Sequence, residues 1–356
     1  MKQLSKVLVT GAGGFIGHHL VTRLRQSGYW VRGVDLKYPE YCASDAHEFQ
    51  ILDMRNSNDA LAATRGIEQV YALAADMGGM GFISCHQAEI LYNNALINLH
   101  TIESARLNGV KRYLYTSSAC VYPEHKQTNA NVTPLKESDA YPAQPQDSYG
   151  WEKLISERLC QHYSGDYGLE TRIVRFHNIF GPLGTWDGGR EKSPAAMCRK
   201  VALAKLTGDP VVEIWGDGEQ TRSFCFIDDC VEGICRIMQS AVREPLNLGQ
   251  DRMVSINHLA DIIAEIAGVR IVKKHVTGPM GVRGRNSDNT LLRRMLGWEP
   301  RISLEDGLAR TYRWIEQQVS AQLTGHCSPV ACSRHPSGEA LAGESLQESE
   351  KATVIA

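Results

Sequence analysis

Two stretches bring together side chains that can move protons. Thr116-Ser117-Ser118-Ala119-Cys120-Val121-Tyr122 sets hydroxyls and a thiol side by side at the end of an apolar run. Downstream, Asp147-Ser148-Tyr149-Gly150-Trp151-Glu152-Lys153 opens a helical pattern that continues to about Gly168. Tyr149 and Lys153 are four apart and so share one helix face, where a phenol and an ammonium suit acid/base work. Each feature has a plainer alternative: a free cysteine is commonly a small buried apolar group, and a YxxxK spacing also arises from a core aromatic beside a surface lysine.

The elements that must position these groups read as an α/β chain. Lys6-Val7-Leu8-Val9-Thr10 is a short strand, followed by Gly11-Ala12-Gly13-Gly14-Phe15-Ile16-Gly17 and a helical pattern to Ser27. In such a strand, glycine turn and helix, Gly11 permits the turn, Gly14 lets the backbone approach a pyrophosphate, and Gly17 allows close packing, with Phe15 and Ile16 at the helix N-terminus. The second strand, Trp30–Val34, ends in Asp35, at roughly the twenty-residue offset where a carboxylate meets an adenosine ribose. A carboxylate there repels a 2′-phosphate, which favours NAD over NADP. Asp53, after Phe49-Gln50-Ile51-Leu52, suits either the adenine edge or a surface turn.

Val70–Ala75 is read as the fourth strand, and small residues such as Ala74 let a dinucleotide pass close to the backbone. Asp76-Met77-Gly78-Gly79-Met80-Gly81 is either a flexible surface loop or one closing over a ligand at the carboxyl ends of the strands. A helix is expected from Ser84 to Leu107, and a fifth strand, Lys111–Thr116, delivers the serines and the thiol. Pro123–Gln146 is a loop insertion, and Thr171–Phe176 is another strand. These features predict a doubly wound parallel sheet of Rossmann type over 1–177, with returns from the C-terminal half. A smaller mixed α/β lobe follows over 178–320, and residues 321–356, rich in Ser, Ala, Gly and Glu, read as a disordered tail. Arg283 and Arg285, on a glycine-punctuated loop, suit either solvated surface charge or bidentate contact with a diphosphate.

Composition narrows the class. With 43% hydrophobic and 22% charged residues, the chain fits a globular enzyme or binding protein. A net charge of -2 argues against a nucleic-acid partner. No apolar run is long enough to span a bilayer and no signal-peptide core precedes the first strand, so the expected location is the cytoplasm. Ten scattered cysteines fit free thiols in a reducing compartment. Cys327, Cys332 and His335 lack paired spacing, and no metal site is expected.

Over about residues 5 to 318 the chain resembles the extended short-chain dehydrogenase/reductase family, through Thr10–Gly17, the Ser117-Ser118 strand end and Tyr149-x-x-x-Lys153. A narrower resemblance rests on Ala74–Phe82, Ser117–Pro123, Arg175-Phe176-His177-Asn178-Ile179, Gly188-Gly189-Arg190-Glu191-Lys192 and Val282–Asn289. It points to members of the family that invert two carbons of a GDP-sugar. The chain departs from them at Asp187, where a basic residue is expected in plant members, and in its tail.

The resemblance implies an isomerase that epimerises GDP-mannose at C3 and C5, using NAD to oxidise C4 transiently. Lys153 lowers the pKa of Tyr149, which takes the 4-hydroxyl proton, while Ser118 or Ser117 bonds the oxygen. Cys120 and Lys192 are the acid and base that a 3,5-epimerase needs and a 4-epimerase does not. The related 4,6-dehydratases carry an aspartate and a glutamate where this chain has Ala119 and Cys120, so dehydration lacks its acid. Substrate contacts carried over are Gly78, Ser118, Asn178, Glu191, Lys192, Lys200, Arg283 and Arg285, and a homodimer through Ile90–Leu107 and Leu154–His162 is implied. A nucleotide-sugar 4-epimerase, or a catalytically silent NAD-binding regulator, are the alternative readings.

Overall fold

Val7, Leu8 and Val9 are all fully buried in the first strand, β1 (Lys6–Thr10). Val7 and Val9 enter one apolar core and Leu8 another, the pattern of a parallel strand covered on both faces. The structure, a computed structural model, describes residues 4–325. β1 is joined by β2 (Trp30–Asp35), β3 (Glu48–Ile51), β4 (Gln69–Ala72), β5 (Arg112–Ser118) and β6 (Glu170–Phe176). In the second half β7 (Ile179–Phe180), β8 (Val211–Trp215), β9 (Thr221–Ser223) and β10 (Cys225–Phe226) precede β11 (Leu246–Leu248), which returns to the main sheet. That sheet is wholly parallel, in the order β11-β6-β5-β4-β1-β2-β3.

The strand order reverses between β1 and β4, and a crevice opens there at the carboxyl ends of the strands. Helix α1 (Phe15–Gln26) covers one face with Leu20, Val21 and Leu24. On the other face lie α2 (Ser57–Thr64), the short α3 (Met80–Cys85), and the long α4 (Gln87–Leu107) and α5 (Ser148–Tyr167). The second lobe begins with α6 (Ser193–Thr207); β12 (Met253–Ser255) and β14 (Gly284–Arg285) flank β9, while β13 (Val272–Val276) pairs with β8. Val7 and Leu20 of the first half share one apolar cluster with Val201, Ile214, Leu259 and Ile315 of the second. A doubly wound α/β fold with a smaller mixed lobe is therefore observed.

Several boundaries differ from the sequence expectation for local reasons. β4 stops at Ala72 rather than Ala75, because the Leu73 and Ala74 amides donate to the Thr10 hydroxyl, each at 3.2 Å. β5 runs on to Ser118 because β6 continues beside it, pairing Ser117 with Arg175 and Ser118 with Phe176. The helix expected over Ser84–Leu107 is two helices, broken at His86, whose ring bonds the Phe82 carbonyl at 2.9 Å. A final helix spans Leu304–Thr324, four residues past 320 into the segment read as tail. The rest of that tail, with Cys327, Cys332 and His335, lies outside the described residues.

One buried ion pair ties α5 to the sheet. Arg175 on β6 forks onto Glu157 of α5 at 2.8 and 2.7 Å, and the Ser117 hydroxyl donates to the same carboxylate at 2.5 Å. Both charged side chains are only 2% exposed, and removing one partner of such a pair strands the other in a low-dielectric interior. Arg175→Met is expected to cost about 3–5 kcal/mol, read as a lowered denaturant midpoint.

Candidate active site

The first part of the site is the glycine turn. Gly11 adopts φ 71°, and a Cβ on Gly17 would sit 2.0 Å from the Gly11 carbonyl oxygen, so α1 lies directly on the turn. The Asp35 carboxylate accepts the Gly13 amide at 2.9 Å and the Leu36 amide at 2.7 Å, which fixes it at the tip of β2. No side chain caps the N-terminus of α1, so its first amides are open to an anion. Ala74 borders Gly11, where an added Cβ would meet the Ala74 amide nitrogen at 2.9 Å. An uncapped helix, a glycine cradle and a ribose-directed carboxylate together fit NAD. Asp53 is differently engaged: its carboxylate is held by Arg55 at 2.7 Å, which lowers its pKa.

The second part is the meeting of β5 and α5. Asp147 caps α5, accepting the Gly150 amide at 2.8 Å, and Gly168 ends it at φ 72°. The Ser118 hydroxyl accepts the Cys120 amide at 3.1 Å, winding the chain into a single turn after the strand. A Cβ on Gly150 would sit 2.2 Å from the Cys120 carbonyl oxygen, so only glycine lets this turn rest on the first turn of α5. Tyr149 is buried and its phenol pairs with the Ser118 hydroxyl. Burial pushes that phenol well above its ordinary pKa, nearby Cys120, Glu152 and Asp147 add to this, and Ser118 opposes it. The expected lowering by Lys153 is not what the protein alone shows: the phenol is raised, with burial the largest cause. Lys153 is buried with its ammonium 5.3 Å from the Tyr149 ring centroid, paired with Glu152 at 3.5 Å.

A cleft of about 350 Å³ joins these groups to the second lobe, within the range for small-molecule sites. Ser118, Cys120 and Tyr149 line it from the sheet side, with Gly78, Asn178, Glu191, Lys192, Lys200 and Arg285 around them. Arg285 donates to the Cys120 sulfur at 3.2 Å and to Gln127 at 2.6 Å. Lys192, at the N-cap of α6, is open to cleft water but set deep in the cleft. Reduced solvation lowers its pKa, and the charges of Cys120 and Cys230 oppose that shift. Glu191 is held by Arg199 at 3.0 Å and the Gly189 amide at 2.7 Å, and Lys200 donates to the Glu213 carbonyl at 2.6 Å. Asn178 takes φ 43° while its amide donates to the Ser223 carbonyl at 2.9 Å.

Arg283 is the member of the expected set that lies apart. Its guanidinium forks onto Asp217 with two 2.8 Å contacts and does not line the cleft. Sequence reasoning missed Arg222, which does line it and pairs with Arg285 across the β9–β14 register. It donates to the carbonyls of Thr221 at 2.8 Å and Met280 at 3.3 Å. Burial, followed by the neighbouring Arg285, pulls its pKa down to about 9. Trp215, Gln220 and Met80 are further lining residues. The signal for Arg222 was a strand register, which residue spacing does not carry.

Comparison with known proteins agrees with this geometry. The model of the NAD dependent epimerase/dehydratase family matches residues 7–249. GDP-mannose 3,5-epimerase 1 of Oryza sativa subsp. japonica is 52% identical over 321 residues, covering 90% of this chain and 84% of that protein. GDP-mannose 3,5-epimerase of Arabidopsis thaliana is 51% identical, covering 89% and 84%. Among solved structures, UDP-glucuronic acid 4-epimerase from Bacillus cereus, in complex with UDP-glucuronic acid and NAD, superposes with a TM-score of 0.75. It is 26% identical, covering 88% of this chain and 99% of its own.

Gly17→Ala forces α1 away from the turn. It is expected to weaken NAD binding by at least about tenfold, read by calorimetric titration of the dinucleotide.

Proposed function

The chain belongs to the NAD dependent epimerase/dehydratase family, and from that membership we propose that it converts GDP-mannose to its C3,C5 epimer, GDP-L-galactose, and to the C5 epimer GDP-L-gulose. The enzyme is an NAD-dependent isomerase acting on a nucleotide sugar. The observation that carries the double inversion is the placing of Cys120 and Lys192 in one cleft, close enough for the Cys120 charge to act on Lys192, beside Ser118 and Tyr149.

Tyr149 takes the proton of the sugar 4-hydroxyl, with Ser118 bonded to the same oxygen and the Lys153 ammonium behind the ring. Gly11, Gly14, Phe15, Ile16, Gly17, Asp35 and Ala74 would hold NAD, which would supply the hydride acceptor. The ketone left at C4 acidifies the hydrogens on C3 and C5 by spreading the carbanion into an enolate. One of Cys120 and Lys192 removes a proton and the other delivers one to the opposite face. Arg285 donates to the sulfur and so fixes where the thiol stands in the cleft. A lysine whose pKa is drawn downward releases its proton more readily than a free one. Gly78, Asn178, Glu191 and Lys200 shape the remaining wall, and Arg222 and Arg285 offer positive charge to the diphosphate. Arg283 reaches it only by leaving Asp217.

With GDP-mannose in deuterated water, label is expected at C3 and C5 by NMR; a changed C4 without solvent label instead identifies a 4-epimerase, and no turnover a silent binder. In the same assay Cys120→Ala is expected to reduce bound NAD slowly and release no epimer.

The proposed cytoplasmic location is supported by the free state of every cysteine among the described residues. No helix of the described residues is long and apolar enough to cross a membrane. A homodimer through α4 and α5 is supported by the exposed Tyr92, Leu99, Trp151 and Ile155 on those helices. Ile155→Asp is expected to shift the protein to monomer in light scattering.

A further inference from the structure

Glu152 is only 2% exposed and has no direct place in the reaction. A buried carboxylate is costly unless paired and hydrogen-bonded, and every part of this one is engaged. Its Oε1 lies 3.5 Å from the Lys153 ammonium and accepts the Asn94 amide at 3.0 Å. Its Oε2 accepts the Asn98 amide at 2.9 Å. Asn98 also donates to Ser156 at 2.9 Å and to the Tyr115 hydroxyl at 3.3 Å, so α4, α5 and β5 converge on the carboxylate.

Asn94 carries the connection outward. Its side chain clamps the backbone on both sides of one residue of the cleft loop, accepting the Asp76 amide at 2.6 Å and donating to the Asp76 carbonyl at 3.0 Å. Neighbouring Asn93 donates to the Asp76 carboxylate at 3.0 Å, and that carboxylate meets Arg190 at 3.4 Å. The Gly79 amide in turn donates to the Arg190 carbonyl at 3.1 Å. An unbroken chain of contacts thus runs from Lys153 to both loops that close the cleft.

We propose that Glu152 is a positioning residue, whose buried charge faces both the Lys153 ammonium and the Tyr149 phenol and which, through Asn94, locks the Asp76–Gly81 loop to the same helix. The inference rests on the reading above only for the roles of Tyr149 and Lys153. The charged groups facing Tyr149 are Cys120 on the turn after β5, Asp147 at the helix cap, and Glu152 and Lys153 on its own helix, with the Ser118 hydroxyl at its oxygen. Glu152 faces Lys153, Asn94, Asn98 and Tyr115.

Glu152→Gln separates charge from packing. Asn94 cannot turn over without releasing the Asp76 amide, so the new carbonyl must face Asn94 and the new amide nitrogen must face Asn98, which turns its own oxygen to it. The site stays filled and one negative charge leaves the neighbourhood of Tyr149. Less repulsion of the phenolate lowers the phenol pKa.

The test is an ultraviolet difference titration of tyrosinate in the NAD-loaded protein, with Tyr149→Phe subtracted to isolate the one phenol. Glu152→Gln is expected to move the Tyr149 transition down by about one pH unit, and Glu152→Asp, which keeps the charge, to leave it near the wild-type value. An unmoved transition in Glu152→Gln overturns the proposal. Asn94→Ala, which leaves the charge in place, is expected to speed hydrogen exchange at residues 76–81 about tenfold; unchanged exchange there also overturns it. Neither measurement needs a sugar, so both stand apart from the reaction assigned above.

Discussion

The candidate site is held together by one close approach, that of the Cys120 carbonyl to Gly150. A side chain at 150 would meet that oxygen at 2.2 Å, so the contact exists only because the residue after Tyr149 has none. Through it the turn that follows β5 is seated on the start of α5. Hydroxyl, thiol and phenol then open into one cleft by construction rather than by loop adjustment. The Glu157–Arg175 pair behind them fixes the same helix to the same sheet at its midpoint. Two rigid elements meeting at two points leave little freedom to misplace a proton donor.

Charge in the cleft is arranged asymmetrically. The thiol faces Arg285 directly and Arg222 nearby, with Lys192 on the α6 side. Among the described residues Arg222 bonds carbonyl oxygens and Arg285 bonds Gln127 and the Cys120 sulfur rather than a carboxylate, whereas Arg283 is neutralised by Asp217. Positive potential is thus concentrated at the inner end of the cleft, where an enolate or a diphosphate would need it. Buried carboxylates, Glu152 and Glu157, sit on the far side of Tyr149 and Ser117, away from the cleft lining.

Much of this was legible from residue types and spacing. The glycine turn, the Asp35 carboxylate, the Asp147 cap of α5 and the Tyr149–Lys153 face all depend on contacts between near neighbours or on the fixed geometry of a strand–turn–helix unit. Legibility failed where two distant segments set the outcome. The β9–β14 register that pairs Arg222 with Arg285, and the Asp217 contact that draws Arg283 away, leave no periodic trace in the chain. The break at His86 was hidden for a different reason. Apolar spacing continues across it, while a single side-chain bond to the Phe82 carbonyl decides the local backbone. The raised pKa of Tyr149 was equally invisible, since its largest cause is burial, which distant segments packed around the ring decide.

The seventh strand has a consequence for how the chain comes to be made. β11 is supplied by residues 246–248, yet it closes the sheet beside β6, which ends at Phe176. During synthesis the outer edge of β6 therefore emerges some seventy residues before its cover, and an uncovered parallel edge is a template for pairing with another chain. The same interval carries α6 and the strands of the second lobe, which share the apolar core of the first half. A nascent chain halted within that interval would display both the bare edge and the unfilled core at once, the combination that favours aggregation over waiting. Loss of the second lobe would thus be felt first as insolubility, before any question of turnover arises.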